Sequence, residues 1–167
     1  MSNVAVWIAT VGGLGRVRWA PGTWGSMVGL AIGVIVIQGI SSLMWQKVLI
    51  PAMLVACITF VVCAMICTQA EEALGIHDAP AIILDEVWAM AVIIIFTPFA
   101  SLKGVPWLIL VAFIVFRLFD IVKPFPLQRL ARLPRGWGIM ADDFGAAIYS
   151  MVLLWVFTPL YLSQTIH

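Results

Sequence analysis

Five stretches of this chain approach the roughly 20 consecutive apolar residues that a helix needs to cross a bilayer: Ser26 to Leu43, Val48 to Cys67, Ile83 to Ala100, Val105 to Ile121, and Phe144 to Leu162. Lipid offers no water to backbone N–H and C=O groups, so only helices and closed barrels span it. Unbroken apolar runs, rather than alternating ten-residue strands, select helices. The expected fold is an all-α integral membrane protein, a single domain over residues 1–167 built as a bundle of about five transmembrane helices. Composition agrees: 63% of residues are hydrophobic and 10% charged, against about 45–50% and about 25% in soluble domains.

The breaks between the runs carry turn chemistry: Ser41-Ser42 with Lys47, the stretch Glu71 to Pro80, Thr97-Pro98 with Ser101 to Gly104, and Lys123 to Gly138. Ahead of the first run lie Gly12-Gly13-Leu14-Gly15 and Pro21-Gly22-Thr23-Trp24-Gly25-Ser26, expected to form a re-entrant or interfacial N-terminal segment. Met1 to Val11 lack the basic region of a signal peptide, so no cleaved segment is expected. Cys57, Cys63 and Cys67 share one apolar run, where thiols act as small hydrophobes. A net charge of +1 provides no surplus to neutralise a phosphate polymer, which argues against nucleic acid as a partner.

With alternating crossings, Lys47 and Lys103 fall on one side, and Arg16, Arg18, Lys123, Arg129, Arg132 and Arg135 on the other, which the positive-inside rule makes cytoplasmic. Every carboxylate falls on or near that same side: Glu71, Glu72, Asp78, Asp85, Glu86, Asp120, Asp142 and Asp143. Charges within a span cost about 2.5–3.5 kcal/mol each at mid-helix. They are kept only when paired, hydrated or used.

Asp85-Glu86 open the third expected span and Asp142-Asp143 the fifth, so the two pairs can meet at one level. Four carboxylates together repel, and Mg²⁺, a hard ion that leaves positions open for water and phosphate, is the usual remedy. The competing explanation is acids complementing the positive end of a helix. Arg117, Asp120 and Lys123 stand at i, i+3, i+6 and can share one helical stripe, as phosphate-binding cations around an acid or as a salt-bridged, snorkelling helix end. The glycines around Gly22-Thr23 meet a helix N-terminus, which attracts anions, or simply form a turn. Gly136-Trp137-Gly138 lets the backbone come close to Asp142. His77 can hand a proton to a leaving alkoxide or be an ordinary loop histidine.

In order, Pro21 to Ser26, His77-Asp78 eight residues before Asp85-Glu86, Arg117 to Pro126, and Gly136 to Asp143 resemble the phosphatidylglycerophosphatase A family over most of the chain. The resemblance implies a small polytopic inner-membrane enzyme of bacteria that requires Mg²⁺ and converts phosphatidylglycerophosphate to phosphatidylglycerol on the cytoplasmic side. The family's Asp-Glu falls on Asp85-Glu86, its Arg and Asp on Arg117 and Asp120, its Lys-Pro on Lys123-Pro124, and its Gly-Ile-Met-x-Asp-Asp on Gly138 to Asp143. Departures occur at Ala89, Arg135, Ala147 and Arg18.

The expected site therefore has Mg²⁺ on Asp85, Glu86, Asp142 and Asp143, the phosphate on Arg117, Lys123 and the Gly22-Thr23 backbone, and His77 as a proton donor. Attack on phosphorus comes from water or from a carboxylate such as Asp120. The rival class is a cation transporter or channel component, since intramembrane acids also mark ion pathways. A pathway continues to the opposite face, whereas these acids stop at one.

Overall fold

The computed structural model describes residues 2–39, 45–97 and 107–165. Its elements are α1 (Ser2–Ala9), a 3-10 turn (Leu14–Arg16), α2 (Pro21–Gln38), α3 (Trp45–Leu74), α4 (Leu84–Phe96), α5 (Trp107–Val122), α6 (Leu127–Leu130) and α7 (Gly136–Thr165), with no strand among the described residues. The expected breaks at Ser41-Ser42, at Pro98 and at Ser101 to Gly104, with Lys103, lie outside the described residues. So do the span ends Leu43, Ala100 and Val105.

Among the described residues, three segments are long and apolar enough to cross a membrane: Pro21–Gln38, Lys47–Leu74 and Gly136–Phe157. The 28 residues from Lys47 to Leu74 extend about 42 Å at roughly 1.5 Å per residue, beyond a hydrocarbon core of about 30 Å. The described parts of α4 and α5, 13 and 16 residues, are about 20 and 24 Å long by the same rise. Both are more apolar than α3 on average, yet they differ in surroundings. On α4 residues buried on every side include Val87, Trp88, Ala89, Met90 and Ile93, making it the central helix. On α5 only Leu108, Ala112 and Phe116 are buried, an i, i+4, i+8 stripe along one face.

The seam between α2 and α4 is built from glycine. A Cβ on Gly25 would stand 2.9 Å from the Ile83 carbonyl oxygen, one on Gly29 2.9 Å from the Val87 carbonyl carbon, and one on Gly33 2.6 Å from Ile94 Cβ. Small residues spaced by four let helix backbones approach, which is how helices associate where apolar side chains gain nothing by leaving lipid. Buried Ser26 lies on the same face and returns its hydroxyl to the Gly22 carbonyl at 2.8 Å, so it introduces no unpaired polar group.

Several helix boundaries differ from those read in the sequence. Helix α2 begins at Pro21 rather than Ser26, since a proline at the first helical position costs no hydrogen bond; Gly22-Thr23 is thus its first turn. Helix α3 continues through Glu71 and Glu72 instead of ending at Cys67. Helix α7 begins at Gly136, so Asp142 and Asp143 lie in its second turn rather than at a helix start. The glycines ahead of α2 end α1: Gly12 donates to the Trp7 carbonyl at 2.8 Å, and the Ala9 carbonyl accepts from Ile83 at 3.0 Å. Gly13 has φ +93, a conformation side chains disfavour.

Candidate active site

Helices α4 and α7 meet where each carries its adjacent acids, and the meeting produces a compact group. Oxygens of Asp85, Glu86 and Asp143 lie within 4.8 Å of one another. Asp85 and Asp143 are 8% and 3% exposed, so water screens their repulsion poorly. One oxygen on each residue, Asp85 Oδ1, Glu86 Oε2 and Asp143 Oδ2, is buried without a hydrogen-bond partner. Buried polar atoms are nearly always satisfied, so three acids that each bring an oxygen to this group and each leave one buried oxygen unpartnered fit a hard divalent cation, and Mg²⁺ takes this donor type.

Asp142, the fourth expected ligand, faces elsewhere. One of its oxygens pairs with the Lys123 ammonium, and Oδ1 is buried without a partner. Adjacent helical residues diverge by about 100°, which is why Asp143 enters the three-acid group while its neighbour turns toward Lys123. Lys123 was expected to continue the stripe of Arg117 and Asp120. Instead α5 stops at Val122, Lys123 takes φ +43, and the side chain leaves the helical register to reach α7. Burial lowers the Lys123 pKa, but the hydrogen bond to Asp142 and the charges of Asp142, Asp143 and Asp120 outweigh that and leave it raised above 10.5. The ammonium is therefore charged throughout the physiological range.

Arg117 behaves as expected of the stripe. Its Nη1 donates to Asp120 Oδ2 at 2.7 Å and stands 3.8 Å from Glu86 Oε1, tying α5 to α4. The first turn of α2 closes this corner. A Cβ on Gly22 would collide with Glu86 Oε1 and lie 2.9 Å from Arg117 Nη1. Thr23 and Trp24 both donate to the Ala20 carbonyl and Pro21 has no N–H, leaving the Gly22 N–H without a backbone acceptor. That amide, at the positive end of a helix and beside a guanidinium, suits an anion. Thr23 itself is half-buried.

Gly136 and Gly138 do not bring the backbone to Asp142. A Cβ on Gly136 would stand 2.8 Å from Cys67 Cβ, and one on Gly138 2.8 Å from the Ala131 carbonyl; these glycines let α7 start against α3 and the preceding turn. His77 is bound to a different acid. Its Nδ1 pairs with Glu71 Oε1, which also accepts from the Asp78 N–H at 3.2 Å. The hydrogen bond and charge of Glu71 raise the His77 pKa above 6.5. The ring is 67% exposed.

Glu71 was not among the expected site residues. It is 6% exposed and its Oε2 has no partner. Its signal was available: Ala64, Cys67 and Glu71 follow an i, i+3, i+7 rhythm, the buried stripe of α3, and an acid on that stripe is out of place unless used.

Fold and site define a class: an all-helical protein with helices of membrane-crossing length and one buried carboxylate group beside two cations. The model of the family described as Phosphatidylglycerophosphatase A matches residues 7–158. The chain belongs to the phosphatidylglycerophosphatase A family, and is an enzyme of the phosphatase class. Similar curated proteins include phosphatidylglycerophosphatase A of Haemophilus influenzae, 35% identical over 85% of this chain and 81% of that protein. That of Escherichia coli K12 is 30% identical over 93% and 84%. A Bacteroides thetaiotaomicron protein provisionally named a phosphatidylinositol-3-phosphatase is 29% identical over 92% of each chain. No solved structure matches.

Proposed function

We propose that this chain hydrolyses the terminal phosphate monoester of phosphatidylglycerophosphate to give phosphatidylglycerol, as a step in glycerophospholipid synthesis. It works in the inner membrane of a bacterium, crossing the bilayer about five times with its acids at the cytoplasmic face. The observation that carries the reading is the convergence of Asp85, Glu86 and Asp143 within 4.8 Å beside Arg117, in a chain of this family.

Asp85, Glu86 and Asp143 would hold Mg²⁺, which when bound would supply charge neutralisation and Lewis-acid polarisation at the phosphoryl group. The chain's own residues do the remainder. Arg117, already oriented by Asp120 and Glu86, offers its remaining N–H groups to the phosphate oxygens, and Lys123 adds a second charge. The Gly22 N–H donates to the same anion. Because these donors are fixed before substrate arrives, they stabilise the charge that spreads over the equatorial oxygens as phosphorus is attacked. Burial keeps bulk water from screening them.

The test is inorganic phosphate release from phosphatidylglycerophosphate by the purified protein in detergent, with Mg²⁺ or EDTA, for wild type, Asp85→Asn and Asp143→Asn. Release that needs Mg²⁺ and vanishes in both folded variants is expected. A folded wild type that releases none with lipid and metal supplied would overturn the proposal.

A further inference from the structure

A cavity of about 600 Å³ runs along the outside of the bundle where α3, α4 and α7 diverge. Its wall includes Ala56, Cys57 and Phe60 of α3, Trp88 of α4, and Trp137 and Trp155 of α7. Two of the three indole N–H groups in its wall are already used: Trp88 Nε1 donates to Thr59 Oγ1 at 3.0 Å and Trp155 Nε1 to the Phe96 carbonyl at 3.3 Å. An occupant gains mainly dispersion and apolar burial there.

We propose that this groove holds one acyl chain of the phospholipid substrate. The inference rests on the lipid phosphatase reading and deepens it.

Three observations lead to that occupant. The groove begins beside the acids, because Trp88 follows Asp85 by one turn of α4 and Phe144, also in the wall, follows Asp143 directly on α7. A lipid with its phosphate at Arg117 and the carboxylates therefore meets the groove where its hydrocarbon emerges. The end near the acids is a ring cluster, with Phe60 centroid distances of 5.3 Å to Trp88, 6.2 Å to Trp137 and 5.5 Å to Phe144. Packing of this kind leaves a preformed surface rather than a collapsed one.

Length permits the same occupant. Trp137 and Trp155, both in the wall, stand about 27 Å apart along α7 at roughly 1.5 Å per residue, so the groove runs most of the way through a hydrocarbon core of about 30 Å.

Two measurements test the assignment. In the first, Ala56→Trp and Cys57→Trp fill the groove at positions away from the acids, and kinetics are compared on dipalmitoyl and dihexanoyl phosphatidylglycerophosphate. The expected result is a KM raised about tenfold for the long-chain substrate, equivalent to about 1.4 kcal/mol, with the short-chain substrate unchanged. Equal effects on both, or none, would overturn the proposal. In the second, phosphatidylglycerophosphate carrying a diazirine midway along one chain is photolysed on the wild-type protein and the adducts mapped. Labelling of Phe60, Phe144 and Met151, competed by unlabelled substrate, is expected over the exposed Ile50, Leu54 and Ile58 outside the groove. Even labelling of both sets overturns the groove whatever the kinetics of the variants. Labelling confined to the groove in a protein that releases no phosphate overturns the phosphatase reading and leaves the lipid site standing.

Discussion

Replacing Gly22 by alanine adds one methyl group at the tightest point of the site. Backbone conformation presents no obstacle, since Gly22 lies in the first turn of α2. The obstacle is space: the new carbon would overlap Glu86 Oε1, stand 2.9 Å from Arg117 Nη1 and 3.1 Å from the Glu86 carboxyl carbon. Ordinary contacts lie near 3.5–4.0 Å, so the carboxylate and guanidinium must retreat by on the order of 1 Å, or α2 must lift from α4. A misplacement of about 1 Å in a catalytic constellation costs about 10²-fold, equivalent to about 2.7 kcal/mol of barrier. The expected result is a kcat for phosphate release, per folded molecule, reduced about 10²-fold. Gly33→Ala is the companion. Its methyl would stand 2.6 Å from Ile94 Cβ, away from the acids, so overpacking should destabilise the fold by about 1–3 kcal/mol while leaving activity per folded molecule near wild type. Phosphate release and circular dichroism melts on the same preparations separate the two. Gly22→Ala with wild-type kcat would refute the placement of α2's first turn over Glu86 and Arg117.

Other outcomes follow from the same geometry. Mg²⁺ should raise the melting temperature of wild type, as any ligand of the native state does, and Asp143→Asn should abolish that rise; an unchanged rise would remove Asp143 from the ligand set. Lys123→Ala leaves Asp142 buried beside a vacated partner and should cost about 2 kcal/mol in a denaturation series, less than the roughly 3–5 kcal/mol of a fully buried pair because the Lys123 head is one-third exposed. Its raised pKa makes that stabilisation complete below pH 10.5 and lost only as pH climbs through the higher folded value, so stability between pH 6 and pH 9 should show no Lys123 titration. His77 should titrate above 6.5 by NMR because of Glu71; its contribution is full below 6.5 and fades as pH rises through the folded value. Glu71→Gln should return the titration toward 6.5, and an unmoved midpoint would disconnect the two residues.

Fold class was legible because hydropathy over twenty residues is a local property, and so was the gathering of Asp85, Glu86 and Asp143, since paired acids at ends of apolar runs have few other uses. Helix ends were less so. Apolar runs mark where lipid contact is sustained, whereas α2, α3 and α7 extend past those runs through Pro21, Glu71 and Gly136, whose helical state depends on neighbours. The separation of Asp142 from Asp143 required the rotation of α7 relative to α4. Likewise, Lys123 abandons its stripe because a residue with positive φ ends α5. Nothing at that position, a lysine before a proline, announces a left-handed backbone.

The glycine seam between α2 and α4 has a consequence for how such a chain can change. Where side chains interlock, a lost methylene on one helix can be matched by a gained one on the other, and sequence wanders while spacing is kept. At Gly25, Gly29 and Gly33 there is no side chain to exchange, and the space is filled by the Ile83 carbonyl, the Val87 carbonyl and Ile94 Cβ. Neutral drift should therefore be unevenly distributed, rapid on the outward faces of α3 and α5 and nearly arrested along this line. A comprehensive substitution library would display it as one stripe of intolerance running the length of α2.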